Sequence, residues 1–175
     1  MQIEIRENSI KLEGYVNVVK RNSRILNHKD KGKFIEQIDV GAFKRALERA
    51  KDVKLLFNHK AERELGSIMK GNLKLKEDAI GLKVECEIAD PEVVEYAKRN
   101  QLKGWSFGFK SLKEKWYDGF NDIKRRLVQE LDLSEVSILT GTPAYYATSV
   151  EMRSYSFEDE QYFYNKNLIR LKEIE

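Results

Sequence analysis

A chain of 175 residues, 41% hydrophobic and 35% charged, has enough apolar surface for one domain with a substantial core but not for a second full domain. Its 32 basic and 29 acidic residues leave a net charge of +3 scattered along the sequence, which without a clustered basic face argues against nucleic-acid binding. The single cysteine, Cys86, excludes an internal disulfide and cysteine-rich zinc sites. There is no histidine-rich metal pattern or phosphate loop, so no cofactor or metal is expected, and no apolar run approaches the ~18 residues of a membrane span.

Residues 2 to 20 carry two strand-like alternations, Ile3 and Ile5, then Ile10, Leu12, Val16 and Val18, parted near Asn8-Ser9, and predict an opening hairpin. The polar run 21–32, which includes His28, reads as a surface loop. Asp39 is placed to cap a helix whose apolar positions Phe43, Ala46, Leu47 and Ala50 follow helical spacing and which ends by Asp52. A short apolar strand, Val53 to Asn58, then delivers His59 to solvent ahead of the charged stretch 60–64. Gly71-Asn72 signals a turn, and Leu82, Val84, Cys86 and Ile88 alternate onto one face of the strand that follows.

Asp90-Pro91 is a strong helix start, because the Asp carboxylate accepts free backbone donors and Pro suits the first helical position; Gly104 ends the segment. The strand after it places one hydroxyl among three large aromatics. Trp105, Phe107 and Phe109 face one side, Ser106, Gly108 and Lys110 the other, and Gly108 predicts a gap where a peptide could approach. Asp118-Gly119 turns this strand back into Asp122 to Leu133, and Glu135 to Thr140 continues the sheet until Pro143 stops it. At Glu151 the character changes, so 1–150 reads as the domain and 151–175 as a tail, a candidate for removal.

A serine on a strand is a nucleophile only with a base beside it and a third group to orient that base. His28 lies in the polar run, which leaves His59 as the base. Glu135, within an apolar strand where an unpartnered carboxylate would cost several kcal/mol, is the acid that His59 would satisfy, with Asp132 in reserve. Each residue also has a plainer reading. Ser106 could be a small strand residue satisfied locally, His59 a strand-end histidine bonded to backbone, and Glu135 a salt-bridge partner of Arg125 or Arg126. Cys86 could pair with a histidine as a thiol nucleophile, but its place among Leu82, Val84 and Ile88 argues for the core. Trp116 and Tyr117 are candidates to flank a substrate groove.

Several ordered segments carry a family resemblance: Leu12-Glu13-Gly14-Tyr15, Gly41-Ala42-Phe43, Leu56-Phe57-Asn58-His59 with Leu65-Gly66, Gly81-Leu82, Trp105-Ser106-Phe107-Gly108-Phe109, and Leu133-Ser134-Glu135-Val136-Ser137 with Pro143-Ala144. Together they make the chain resemble the tailed-phage prohead maturation serine proteases over roughly residues 2 to 150. One departure is the lysine-rich stretch 29–36, where family members often carry an Asp-rich loop. The resemblance implies an α+β fold, a β-rich, barrel-like core of mostly antiparallel strands with a few flanking helices, similar to the herpesvirus assembly proteases. It implies Ser106 and His59 as catalytic residues, with Glu135 the best fit for a third member that related viral proteases supply as histidine or carboxylate. It also implies a serine endopeptidase that cuts the major capsid and scaffold proteins, and its own chain, inside an assembling procapsid in the host cytoplasm. No membrane or specific nucleic-acid partner is expected, and the herpesvirus analogy suggests a homodimer. The alternative is a non-enzymatic scaffold or shell protein of the same fold.

Overall fold

The computed structural model describes residues 1–145, and the tail expected at 151–175 lies outside the described residues. The chain folds into ten strands and two helices. In order they are β1 (Gln2–Ile5), β2 (Ile10–Val18), β3 (Leu26–His28), β4 (Gly32–Ile38), α1 (Ala42–Arg49), β5 (Lys54–Phe57), β6 (Lys60–Ser67), β7 (Leu73–Glu77), β8 (Gly81–Ile88), α2 (Pro91–Lys98), β9 (Gly104–Tyr117) and β10 (Lys124–Leu139). The expected β-rich architecture is present, with a curled half-barrel sheet.

One sheet runs β1-β2-β8-β7, all antiparallel, and opens with the hairpin read from the alternation of isoleucines. The other runs β3-β4-β10-β5-β6, with β9 lying along the opposite edge of β10. The 16-residue β10 organises this second sheet. Its first half pairs in parallel with β4, its second half in parallel with β5, and nearly its whole length antiparallel with β9. These two parallel pairings are the exceptions in a mostly antiparallel fold.

The core forms where both sheets and α1 bury their apolar faces. Ile10, Leu12, Val84 and Ile88 contribute from the first sheet, and Trp105, Phe107, Leu131, Val136 and Ile138 from the second. Phe43 of α1 meets Phe107 edge to face at 5.3 Å between ring centres, a favoured aromatic geometry. Cys86 belongs to this core, opposite Leu12. Burial pushes its thiol up to about 12, which removes it as a nucleophile.

Two local expectations change. Asp39 does not cap α1; its carboxylate accepts the next N–H, from Val40. Glu77 on β7 does the capping, taking the Gly41 and Lys44 N–H groups at 2.6 Å each, while Gly41 supplies the positive φ of 79° at the N-cap. A carboxylate from another strand therefore replaces the local cap, a choice that only tertiary packing makes. The run 21–32 contains β3 and the start of β4, because β3 pairs with β4, itself paired to β10, and this pairing rescues residues of weak strand propensity. The charged stretch 60–64 is likewise strand, the edge β6 paired to β5. By contrast, α2 begins as expected, with Pro91 in its first turn and the Asp90 carboxylate accepting Val93 N–H at 3.0 Å.

Candidate active site

A one-residue irregularity in β10 creates the site. Leu133 lies opposite Phe109, but the next pair is Glu135 with Gly108, so Ser134 is an extra residue; its Oγ donates to the Gly108 carbonyl at 2.8 Å. Side chains alternate strictly in a regular strand, and a bulge resets that alternation. Leu131 and Leu133 point into the core before it, Val136 and Ile138 after it. Glu135 and Ser137 consequently share the opposite face with their cross-strand partners Gly108 and Ser106. Without the extra residue, the parity of Leu133 would carry Glu135 into the hydrophobic core.

The neighbouring strand supplies the histidine. β5 and β6 are joined by Asn58 and His59, both at positive φ, 52° and 60°, as a two-residue hairpin turn of right-handed twist requires. Asn58 tolerates this conformation well and is clamped to the end of β10. Its N–H donates to the Ile138 carbonyl at 3.0 Å, its Nδ2 to Thr140 Oγ1 at 3.1 Å, and its Oδ1 accepts Thr140 N–H at 2.9 Å. The turn thus hangs His59 over the Glu135 face.

There the imidazole Nδ1 and Glu135 Oε1 are 2.6 Å apart, a short charge-assisted contact. Glu135 Oε2 accepts the Ser137 hydroxyl at 2.8 Å, and Ser137 Oγ accepts His59 N–H at 3.1 Å. With the carboxylate on Nδ1, the proton of a neutral ring sits there and Nε2 is the free base. Ser106 is half-buried on the adjacent strand, directly opposite Ser137. Among the described residues, its hydroxyl makes no hydrogen bond to His59. The hydrogen bond that His59 donates to Glu135 raises the His59 pKa against the opposing effect of desolvation.

The model of one family, the caudovirus prohead serine proteases, matches residues 1–162. The chain belongs to this family. It is 28% identical over 143 residues to the prohead protease of Escherichia phage T5, and it spans 60% of that relative's length with 78% of its own. Among solved structures it is similar to the varicella-zoster virus protease, at a TM-score of 0.46 and 11% identity, over 90% of this chain and 75% of that one.

The other candidates lie elsewhere in this prohead-protease fold. Asp132 is exposed beside Arg49, 3.4 Å away, and stands opposite Lys110. The arginines read as alternative partners of Glu135 lie at the far end of β10, where Arg126 pairs with Glu36 and Glu114 and Arg125 stands opposite Tyr117. His28 ends β3, its ring edge-on to Phe34 and Trp116. Trp116 and Tyr117 stand ten and eleven residues along β9 from Ser106, about 33 Å or more at the strand rise, so they do not flank it. Among the described residues, no group of three or more His, Cys, Asp or Glu is placed to hold a metal, and no helix is long and apolar enough to cross a membrane.

Gly108 has a different use from the one expected. A Cβ built there would meet Glu135 Oε1 at 2.6 Å and Cγ at 3.0 Å, so the gap in the strand holds the carboxylate rather than a substrate. Gly108→Ala is expected to push the carboxylate off Nδ1 and return the His59 titration toward the ordinary value of about 6.5, measured by NMR. A midpoint unchanged from the wild type would show that the carboxylate accommodates the methyl. Sequence reasoning missed Ser137, Asn58 and Thr140 as partners. The available signal was the break in apolar parity between Leu133 and Val136.

Proposed function

We propose that the chain is a serine endopeptidase in which Ser106 is the nucleophile, His59 the general base and Glu135 the group that orients the imidazole. The observation that carries the reading is the short Glu135–His59 contact on the sheet face that also bears Ser106. Three serines neighbour this pair, and their surroundings separate them. Ser137 is fully buried with its proton on Glu135, and Ser134 donates to the Gly108 carbonyl. Ser106 alone is partly accessible with an uncommitted hydroxyl among the described residues.

On substrate binding, His59 Nε2 takes the Ser106 proton as Oγ attacks the peptide carbonyl, and the imidazolium then returns a proton to the leaving amine. Water repeats the sequence on the acyl-enzyme. Glu135 keeps the Nδ1–H tautomer and stabilises the imidazolium. The approach of Ser106 to His59 tightens in the Michaelis complex, as catalytic hydrogen bonds commonly do. Residues 1–150 form the protease domain, and the substrates are the major capsid and scaffold proteins of the procapsid, met inside the shell where confinement raises their concentration. The family name supports that setting.

Coexpression of the full chain with capsid and scaffold proteins from the same genome, followed by intact mass of every fragment, tests the proposal. Fragments that vanish with Ser106→Ala support it, and the same fragments from both proteins sink it.

The raised His59 pKa sets a pH dependence. Only the neutral imidazole acts as base, so activity rises with pH through a midpoint above the ordinary ~6.5. The stability linkage has the opposite sense. A histidine whose folded pKa is raised contributes stability that is full below the unfolded value and is lost as pH climbs through the folded one. Glu135→Gln is expected to lower kcat/KM by about 10²- to 10⁴-fold and to move the acid limb of the profile down toward 6.5. A rate and limb equal to the wild type would remove Glu135 from the mechanism.

A further inference from the structure

Among the described residues, Ser137 is the one side chain hydrogen-bonded to both the Glu135 carboxylate and His59, at its backbone. Its Oγ donates to Glu135 Oε2 at 2.8 Å and accepts His59 N–H at 3.1 Å, so both capacities of a fully buried hydroxyl are used. The turn it holds needs holding. Two successive residues sit in the left-handed region, and at His59 that conformation carries strain of the order of 1 kcal/mol which the surroundings must over-determine. Asn58 is secured by Ile138 and Thr140, but for His59 itself the backbone contact is Ser137. The carboxylate presents a parallel need, since Oε1 serves His59 and Oε2 would otherwise be free to swing the group away.

We propose that Ser137 is a positioning residue of the active site, whose hydroxyl holds the Glu135 carboxylate against His59 Nδ1 and fixes the backbone of the turn that carries the imidazole. This rests on the reading of Ser106, His59 and Glu135 given above. Ser137 itself does not attack substrate, because it is buried and its proton is committed to Glu135. Other charges nearby are paired or exposed. Lys54, level with Glu135 on β5, pairs with Glu64 of β6, and Lys60, next to His59, is exposed. Glu135 is the charged group that raises the imidazole, so its placement sets the His59 titration.

The test uses the full chain and two readouts. In the first, a tagged alkyl fluorophosphonate is the probe. Attack by Oγ forms an O–P bond, breaks P–F and releases fluoride, while the hydroxyl proton passes to His59 Nε2; mass spectrometry locates the adduct. Ser137→Ala is expected to slow labelling of Ser106 by about 10- to 100-fold, the scale of an ångström-sized misplacement, and Ser137→Thr to restore most of it. In the second, NMR titrates His59, which is readily assigned because the chain has two histidines and His28→Gln identifies the other. The midpoint is expected to fall toward the ordinary imidazole value in Ser137→Ala and to stay at the wild-type value in Ser137→Thr.

A merely structural serine would alter thermal stability without moving that midpoint. Should Ser137→Ala fail to fold, Ser137→Cys, close in volume and a weak donor, is expected to show the same losses. Labelling of Ser106 at the wild-type rate in a folded Ser137→Ala protein, or an unmoved His59 midpoint, overturns the role of Ser137 alone. Labelling that persists unchanged in Ser106→Ala or His59→Ala overturns the reading of the whole site, and Ser137 with it. The titration needs no turnover, so it decides Ser137 even in a resting enzyme.

Discussion

Replacing Ser106 by alanine is expected to lower proteolytic kcat/KM by about 10⁴- to 10⁶-fold while leaving the fold intact. In the proposed mechanism nucleophile, base and orienting carboxylate act as a unit, so the loss is large and an intact His59–Glu135 pair cannot compensate for a missing oxygen. The substitution should be structurally mild. The Ser106 hydroxyl makes no hydrogen bond among the described residues, so its removal strands no partner. Its neighbours Trp105 and Phe107 remain buried on the other face. Cleavage of a capsid-derived substrate, measured beside a urea unfolding curve, checks both halves of the expectation. Residual activity above about 1% of wild type in the folded variant would mean that another group performs the attack.

Replacing Arg126 by methionine is expected to cost about 3–5 kcal/mol of stability at neutral pH, the scale of a buried ion pair that has lost one member. Glu36 is 4% exposed, and Arg126 Nη1 lies 2.8 Å from its Oε2, while the Tyr145 hydroxyl donates to Oε1. The same guanidinium bonds Glu114 through Nε and Nη2, and Trp116 Nε1 donates to Glu114 at 2.6 Å. Burial pushes the Glu36 carboxyl up, and Tyr145 and Arg126 oppose it. Glu114, although burial pushes it up as well, is held at about 2 by its donors, Arg126 among them.

With Arg126 gone, Glu36 is driven further toward its protonated form. A carboxyl with a folded pKa above its unfolded value of about 4.3 loses stability as pH rises through that range. The destabilisation of Arg126→Met should therefore shrink at acid pH, and adding Glu36→Gln should recover most of it at pH 7. Urea unfolding at two pH values measures both. A loss below about 1 kcal/mol at pH 7 would show that water reaches Glu36. Arg126 pairs with β4 and the outer half of β9, away from Ser106, so fluorophosphonate labelling of the folded variant should stay at the wild-type rate.

What could be read from the chain was whatever its neighbours in sequence decide. Asp90-Pro91 starts a helix because the cap and the restricted φ are both local, and the run Leu82, Val84, Cys86, Ile88 makes a strand with one core face because side chains in a strand alternate. Asn58-His59 after a short apolar strand, and Ser106 among three aromatics, marked the places where chemistry could sit. Less was legible where the deciding partner is remote. Glu77 caps α1 from another strand, and β3, β4 and β6 owe their strand state to pairing, because polar and lysine-rich residues have little preference of their own. The same limit explains Trp116, which belongs to a cluster with His28, Phe34 and Lys31 at the other end of β9.

Alternating apolar residues marked the strands, and the ordered short segments carried the family resemblance, which implied the β-rich fold and the residues of the candidate site. That Glu135 faces His59 instead of the core was settled by strand pairing. That outcome depends on one extra residue at Ser134, pinned to the Gly108 carbonyl across the sheet, and on the empty space that Gly108 leaves for a carboxylate. A bulge is a relation between two strands, so the break in apolar parity after Leu133 becomes a change of face only once β9 and β10 are paired.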